Sequence, residues 1–308
     1  MELNIINLDL TLGPFHYRLL AHDTRGEELL GRLADNVDCR HFNGLPDRHI
    51  HLIRHLIEPV AVDSFLAGRL PPELAALVPE ELPPLGWQIA GNDTTHLTWR
   101  HAETSHAFWT MSCYEADQEL PFYLPLDLLF HDIVQSGGGI IHGGLAVYQD
   151  QGVLLTAPPG GGKTTTFSTL PDNWALKSDD ASLVWPDANG AFLVCPLPTW
   201  SVLLGTNPRL EQIMLWQIGK NWPLQRVLFL EKSNLIKLAP QRSIDAVFPL
   251  YRALSEYPTV ILGRTPYRGA IFKVAAAIAR NVQTWTLQLP RKGNFWPILE
   301  EELIHGLR

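Results

Sequence analysis

The sequence predicts an α/β protein whose larger part, residues 121–308, carries a mixed sheet, preceded by a smaller α+β domain over residues 1–120. Three observations lead there. After residue 121, apolar runs of strand length mix with amphipathic helical runs, but without a strict βαβ rhythm. A glycine-rich loop at 157–164 lies between an apolar strand and a short helix. The first 120 residues instead combine strand-like runs with polar and proline-rich loops, and 308 residues suffice for two ordinary domains.

The elements follow in chain order. "ELNIINLDL" alternates in part and reads as a strand, and "FHYRLLAHD" as another. "PPELAALVPEELPPLGW" is a loop, or a short helix between proline breaks. "HLTWRHA" and "AFWTMSCYEA" read as paired strands with Trp and Phe on one side. "LPLDLLFHDIVQSGG" has helical apolar spacing and a glycine stop. "GIIHGGLAVYQD" reads as one strand, turning at "DQG" into "GVLLTA". A short helix over Thr164–Leu170, stopped by Pro171, follows the loop, and "NWALKSDD" is a strand ending in carboxylates. "ASLVWPDANGAFLVCPLPTW" reads as a hairpin turning at "DANG". "RVLFLEKS" is a buried strand, "SIDAVFPLYRAL" and "YRGAIFKVAAAIARN" are amphipathic helices, and "VQTWTLQL" closes with period two.

Bulk composition narrows the function classes. The chain is 46% hydrophobic and 18% charged, a globular balance. No apolar run reaches the roughly 18 residues of a transmembrane helix. The start, "MELNIINLDL", lacks the basic n-region and apolar core of a signal peptide. Cys39, Cys113 and Cys195 are isolated and odd in number, which fits a reducing cytoplasm and argues against a disulfide framework or a cysteine zinc site. The net charge of −8 disfavours nucleic acid as a general partner. Residues 1–200 carry 10 Lys/Arg and 25 Asp/Glu, whereas residues 201–308 carry 14 and 7. Either the two parts dock on each other, or the basic third faces phosphate or an acidic substrate.

Ala157–Thr164, "APPGGGKT", fits G-x-x-x-x-G-K-[ST] at every fixed place except the first. In such loops the backbone amides point at phosphates, and the helix dipole favours their charge. The donors are expected from Gly160, Gly161, Gly162, Lys163, Thr164 and Thr165. Lys163 would reach the β- and γ-phosphates, and the Thr164 hydroxyl would ligate Mg²⁺. Ala157 replaces a residue needed only for a tight turn, and Pro158 and Pro159 precede the donor arc. A glycine-rich turn that merely happens to hold Lys-Thr would not need the flanking strand and helix.

Asp179 and Asp180 follow closely, with one short helix and one strand between them and the loop. Phosphoryl transfer to a hydroxyl needs a Mg²⁺ ligand and an acceptor for the nucleophile's proton. Two adjacent carboxylates at a strand end can divide those tasks, if a bend lets both converge. The bland alternative is an ordinary Asp-Asp turn. His142, in "IIHGG", ends a strand of the hairpin that delivers the loop. A lone histidine is more often structural, but the order His, loop, Asp-Asp favours a functional one.

The stretch "HGGLAVYQDQGVLLTAPPGGGKTTTFSTLPDNWALKSDD" resembles the core of the HPr serine kinase/phosphorylase family, whose P-loop core is shared with phosphoenolpyruvate carboxykinases. The resemblance implies a P-loop kinase core and transfer of a phosphoryl group to a serine hydroxyl, with ATP and Mg²⁺ as cofactors. His142, Lys163, Thr164, Asp179 and Asp180 match the motif. They would take the roles above, with Asp179 as base and Asp180 towards the metal, or the two reversed. The N-terminal part does not resemble the regulatory domain of HPr kinases, and no clear copy of their phosphorylase signature is present. "LPLDLLFHDIV", "CPLPTWS" and "RVLFLEK" are similar to the SynChlorMet cassette protein group, which implies a modified peptide as substrate. The family resemblance also allows a homo-oligomer, although no residue here points to one.

Other residues read more quietly. His49, His51 and His55, with His41 nearby, could suggest zinc, but no single secondary structure gathers them, so a polar surface is expected. His96, His101 and His106 fit neither period and read as incidental. Trp200 fits a substrate cleft and core packing equally. Cys195 reads as a small buried residue. Arg264 and Arg268 crowd a helix start, where an anion between them would relieve the charge, but plain exposure is the favoured reading. The expectation is an ATP- and Mg²⁺-dependent kinase of a hydroxyl on a peptide or small protein, with His142 positioning or neutralising the transferring phosphate. A small-molecule kinase and a nucleotide-binding module without transfer chemistry are the alternatives.

Overall fold

The computed structural model describes residues 6–37, 44–54, 68–76, 82, 84–92, 96–111, 126–197, 217–262, 267–290 and 293–305. The chain divides into two compact units, residues 1–131 with 261–263, and residues 132–260 with 264–308. Both hold mixed sheets. No helix among the described residues is long and apolar enough to cross a membrane.

The first unit begins with β1 (Ile6–Leu12) and β2 (Phe15–Ala21), an antiparallel pair. Helix α1 (Thr24–Asn36) then crosses to β3 (Arg48–Arg54), which runs parallel to β2. The short α2 (Pro72–Ala75) and the strands β4 (Trp87–Asn92), β5 (His96–His101) and β6 (His106–Met111) complete it. The strand order is β1-β2-β3-β6-β5-β4. Sequence reasoning did not anticipate α1, β3 or β4. Yet α1 carries clear signals: Asp23 caps it by accepting from Gly26 N at 2.7 Å, and Leu29, Leu30 and Leu33 form a buried stripe. Gly26 lets α1 sit close, since a Cβ there would lie 3.1 Å from Ala21 Cβ and 3.2 Å from Leu52 O.

The expected pairing of β5 with β6 is present, and Trp99 lies opposite Phe108 in a small core with Leu70, Leu74 and Trp87. The histidines depart from expectation. His51 is buried at 3% exposure, not on a polar surface. It shares a face with His49 two residues away, and the parallel pairing of β3 with β6 brings His106 alongside. The contacts His22 Nε2–His51 Nδ1, 2.8 Å, and His51 Nε2–His106 Nδ1, 3.0 Å, form a chain of three rings, with His49 stacked on His106. His101 is also buried and donates from Nε2 to Leu85 O at 2.8 Å. The cross-strand register gathers these rings, and spacing along the chain does not reveal it. No group of metal-ligating side chains converges among the described residues. His41, His55 and the His96 side chain lie outside the described residues.

The second unit starts with α3 (Leu126–Gln135), which spans the division between the units. The strands β7 (Gly139–His142), β8 (Gly144–Tyr148) and β9 (Gln151–Thr156) lead to the loop and α4 (Lys163–Phe167). Next come β10 (Ala175–Ser178), β11 (Ala181–Pro186), β12 (Phe192–Leu197), β13 (Trp222–Lys232) and β14 (Lys237–Pro240). Helices α5 (Ser243–Leu262) and α6 (Arg268–Asn281), strand β15 (Gln283–Leu289) and helix α7 (Trp296–His305) finish the chain. The order is β10-β8-β9-β13-β12-β11-β7, with β15 beside β13 and β14 beside β15. Strands β9, β13 and β15 are parallel, and the other pairs are antiparallel.

Three local expectations shift. The run "GIIHGGLAVYQD" is two strands broken at Gly143. The hairpin turns at Gln149–Asp150, before the glycine; both residues have positive φ (47° and 59°), the pattern of a two-residue turn whose twist matches its strands. Helix α4 ends at Phe167, short of Pro171, as the backbone bonds tighten to i→i−3, Thr169 N to Thr166 O at 3.2 Å and Leu170 N to Phe167 O at 3.1 Å, while Ser168 Oγ donates to Thr165 O at 2.7 Å. A core of Tyr148, Trp174, Phe295, Trp296, Leu299 and their neighbours then locks α7 beside the loop. Trp174 Nε1 donates to Glu300 at 2.8 Å.

Burial, reinforced by the neighbouring His22, His106 and His49, holds His51 down to about 3. Burial does the same for His106, to about 4. An unfolded histidine titrates near 6.5, so from there down to these values the unfolded chain binds protons that the folded chain refuses. Stability therefore falls as pH falls through this window, by about 1.4 kcal/mol per pH unit for each fully refused proton. Thermal melts of wild type and His51→Gln between neutral pH and pH near 4 check this. The wild-type melting temperature should drop more steeply, and parallel curves would contradict the account.

Candidate active site

The site grows from a break in one antiparallel ribbon. β7 pairs with β11 up to His142↔Ala181, and β8 pairs with β10 from Leu145↔Ser178. The two ladders meet in the same register, so Gly143 and Gly144 lie opposite Asp180 and Asp179. The predicted strand end is thus a bend between two strands, and it is the bend that carries both carboxylates. The glycines are needed for space. A Cβ on Gly143 would lie 3.0 Å from Leu155 O, and one on Gly144 would press on the Phe167 ring (Cζ at 2.5 Å) and on Ser178 O at 2.9 Å.

His142, at the end of β7, is anchored through its backbone: Thr156 Oγ1 donates to His142 O at 2.9 Å. Its ring lies between two carboxylates, with Nε2 at 3.1 Å from Asp180 Oδ1 and Nδ1 at 3.0 Å from Glu256 Oε1. Lys163 Nζ lies 2.9 Å from the same Nε2 and donates to Ala157 O at 3.0 Å. Nε2 cannot donate to Asp180 and accept from Lys163 together. The hydrogen bond to Asp180 raises the His142 pKa, helped by the charges of Asp180 and Glu256 and opposed by burial and by Lys163. Burial lowers the Lys163 pKa, although Asp180, Glu256 and Asp179 work against it. With both ring nitrogens facing carboxylate oxygens, the ring donates to Asp180 and Glu256, and Lys163 donates to Ala157 O. For Asp180, burial is the largest influence and raises the pKa, but the hydrogen bond and charge of His142, together with Lys163, outweigh it and leave the carboxyl below its ordinary value.

The glycine loop is shaped for close approach. Gly160 and Gly162 have φ of 70° and 105°, and a Cβ on either would meet open space. Gly161 is tight: a Cβ there would lie 2.5 Å from Ala157 Cβ, and its N–H closes a turn onto Pro158 O at 2.8 Å. Lys163 opens α4 with its side chain buried, whereas Thr164 and Thr165 are exposed. The structure thus brings His142, Lys163 and Asp180 into direct contact, with Asp179 adjacent to Asp180 and acting on Lys163 by charge.

Glu256 escaped the sequence reading. It sits on α5 in "RALSEYP", and nothing in that helix distinguishes this carboxylate from a solvated one. Among the residues weighed separately, Cys195 is buried as expected. Arg268 is exposed at the start of α6, while Arg264, Trp200, Cys39 and Cys113 lie outside the described residues.

A family model, SynChlorMet cassette protein ScmC, matches residues 120–305, more than half of the chain. The chain belongs to the ScmC family. The match covers His142, the glycine loop, Asp179, Asp180 and Glu256. No curated protein matches this ScmC-family chain. Among solved structures, it is similar to the Hpr(Ser) kinase/phosphatase from Coxiella burnetii, at 12% identity and a TM-score of 0.28, over 55% of this chain and 95% of that chain. The family's name coincides with the group that the flanks of the site motif resemble.

The glycine at the ribbon break carries a direct expectation. Gly144→Ala should destabilise the ScmC-family fold by about 1–3 kcal/mol through overpacking against Phe167 and Ser178 O. Denaturant unfolding of the two proteins measures this, and equal midpoints would show that the ring moves aside freely.

Proposed function

We propose that this chain is an ATP- and Mg²⁺-dependent phosphotransferase acting on a hydroxyl, a serine of a peptide or small protein in the first instance. One observation carries the reading: the loop lysine meets a histidine that is itself bonded to one of two adjacent carboxylates, Lys163–His142–Asp180. A cation at a glycine loop and a carboxylate pair at the same point are what transfer of a phosphoryl group to a hydroxyl requires.

The residues fit the groups proposed. The open space over Gly160 and Gly162 suits phosphate oxygens, and Lys163 supplies a charge beside them. Bound Mg²⁺ would neutralise charge on those oxygens, with the Thr164 hydroxyl and Asp180 as its ligands. Asp180 suits that role because its carboxyl is held acidic by His142, and a carboxylate so held is a poor proton acceptor. That leaves Asp179 to take the acceptor's proton. The acceptor oxygen bonds to the γ-phosphorus, the bond from that phosphorus to the bridging oxygen breaks, the electron pair leaves on ADP, and the proton passes to Asp179. His142, charged and fixed by Glu256, neutralises the transferring group from the side. A peptide acceptor follows from the resemblance to the SynChlorMet cassette group, and a reducing cytoplasm from the isolated cysteines. Transfer between soluble partners would need neither nucleic acid nor membrane.

The test is mass spectrometry of serine-containing peptides encoded beside the gene, incubated with the protein, ATP and Mg²⁺. A phosphoryl gain on a peptide is expected. Lys163→Ala should lower it on the order of 10²–10³-fold. Asp179→Asn should cost on the order of 10²–10⁴-fold, the usual range for a general base. Full turnover in Asp179→Asn and Asp180→Asn would sink the mechanism. ATP bound without any transfer would shift weight to a small-molecule acceptor or a binding module. Glu256→Gln should lower kcat more than it raises KM for ATP, since Glu256 holds His142 and not the loop.

A further inference from the structure

Asp179 and Asp180 are bracketed by two serines, Ser178 and Ser182, each at 0% exposure. Their hydroxyls form a chain whose direction is fixed by chemistry. Gly143 O can only accept, so the Ser182 hydroxyl donates to it at 3.0 Å. With its proton committed, Ser182 Oγ accepts from the Ser178 hydroxyl at 2.8 Å. Ser178 Oγ in turn accepts from Leu145 N–H at 3.2 Å. The chain therefore runs from Leu145 through both serines to Gly143. It bridges the interval in which the ribbon's ladder pairing lapses, between Leu145↔Ser178 and His142↔Ala181.

Packing alone does not call for hydroxyls at two fully buried positions, where alanine would fill similar space. Backbone groups at an interrupted ladder do call for partners. A satisfied buried network also restricts a bend that would otherwise keep its conformational freedom. We infer that the Ser178–Ser182 hydroxyl chain is a positioning device that clamps the Asp179–Asp180 bend to the Gly143–Gly144 segment and so holds the Asp180 carboxylate on His142. Its consequence for turnover rests on the phosphotransfer reading; its geometry does not.

The test uses full-length Ser182→Ala and Ser178→Ala. The first removes the link to Gly143, and the second cuts the chain in the middle while leaving that link, so one can report if the other fails to fold. Ser136→Ala is the control for loss of a hydroxyl bond away from the site, since it removes one made by an exposed residue, to Ile133 O at 2.9 Å. Crystal structures of the variants should show Asp180 out of hydrogen-bond reach of His142. ATP turnover should show kcat reduced on the order of 10–100-fold, the scale of an ångström-level misplacement. KM for ATP should stay within about twofold, because the loop itself is intact. Asp180 still bonded to His142 in both variants overturns the inference whatever the kinetics. A displaced Asp180 with unchanged kcat, or with KM rising alone, overturns the catalytic consequence. Wild type that turns over no ATP sinks the phosphotransfer reading instead, and the variant structures then decide the clamp by themselves.

Discussion

Antiparallel pairing between residues 139–147 and 175–184 holds one register from Val184 to Ser178, shifts between Ser178 and Leu176, and is interrupted for two residues on each strand at 143–144 and 179–180; the candidate site is built from that interruption. Gly143 alone separates β7 from β8, yet these strands lie at or near opposite ends of the sheet order. The sheet must therefore bring its ends together at this glycine. Close approach excludes a Cβ at both glycines, and it is the same approach that sets the Asp179–Asp180 bend beside His142 and the start of α4. The chemistry depends on this crossing, because it sets the carboxylates beside His142 and the loop lysine.

Electrostatics then ranks the groups. Five ionisable side chains meet: Lys163, His142, Asp179, Asp180 and Glu256. Burial opposes every charge among the three whose pKa shifts. Pairing wins for His142 and Asp180, whereas burial wins for Lys163. The outcome is a cluster of two basic groups and three carboxylates, with the His142 ring between two of the carboxylates and the lysine pKa lowered by burial alone.

The histidines of the first unit show the opposite use of the same residue type. There the cross-strand register packs rings against each other and keeps them neutral, with His51 and His106 shifted far down and no convergent ligand set among the described residues. In the second unit one ring is flanked by carboxylates, and its pKa is raised. Neighbours, not the residue, decide between a neutral packing element and a charged functional one.

The sequence by itself determined the loop, its lysine, the Asp-Asp pair and His142 as candidates, because each lies within a short stretch whose spacing has a local physical reason: glycines where φ is positive, a strand before and a helix after. The strong strands and helices after residue 121 were legible for the same reason, as was the β11–β12 hairpin at "DANG". The break inside "GIIHGGLAVY" was not, since a glycine pair within an apolar run gives no sign of which strand crosses it. Glu256, the Ser178–Ser182 chain and the stacked histidines were decided only by tertiary structure. Each depends on partners far apart in the chain, and pairing register and helix packing, rather than any local preference, bring those partners within hydrogen-bond distance.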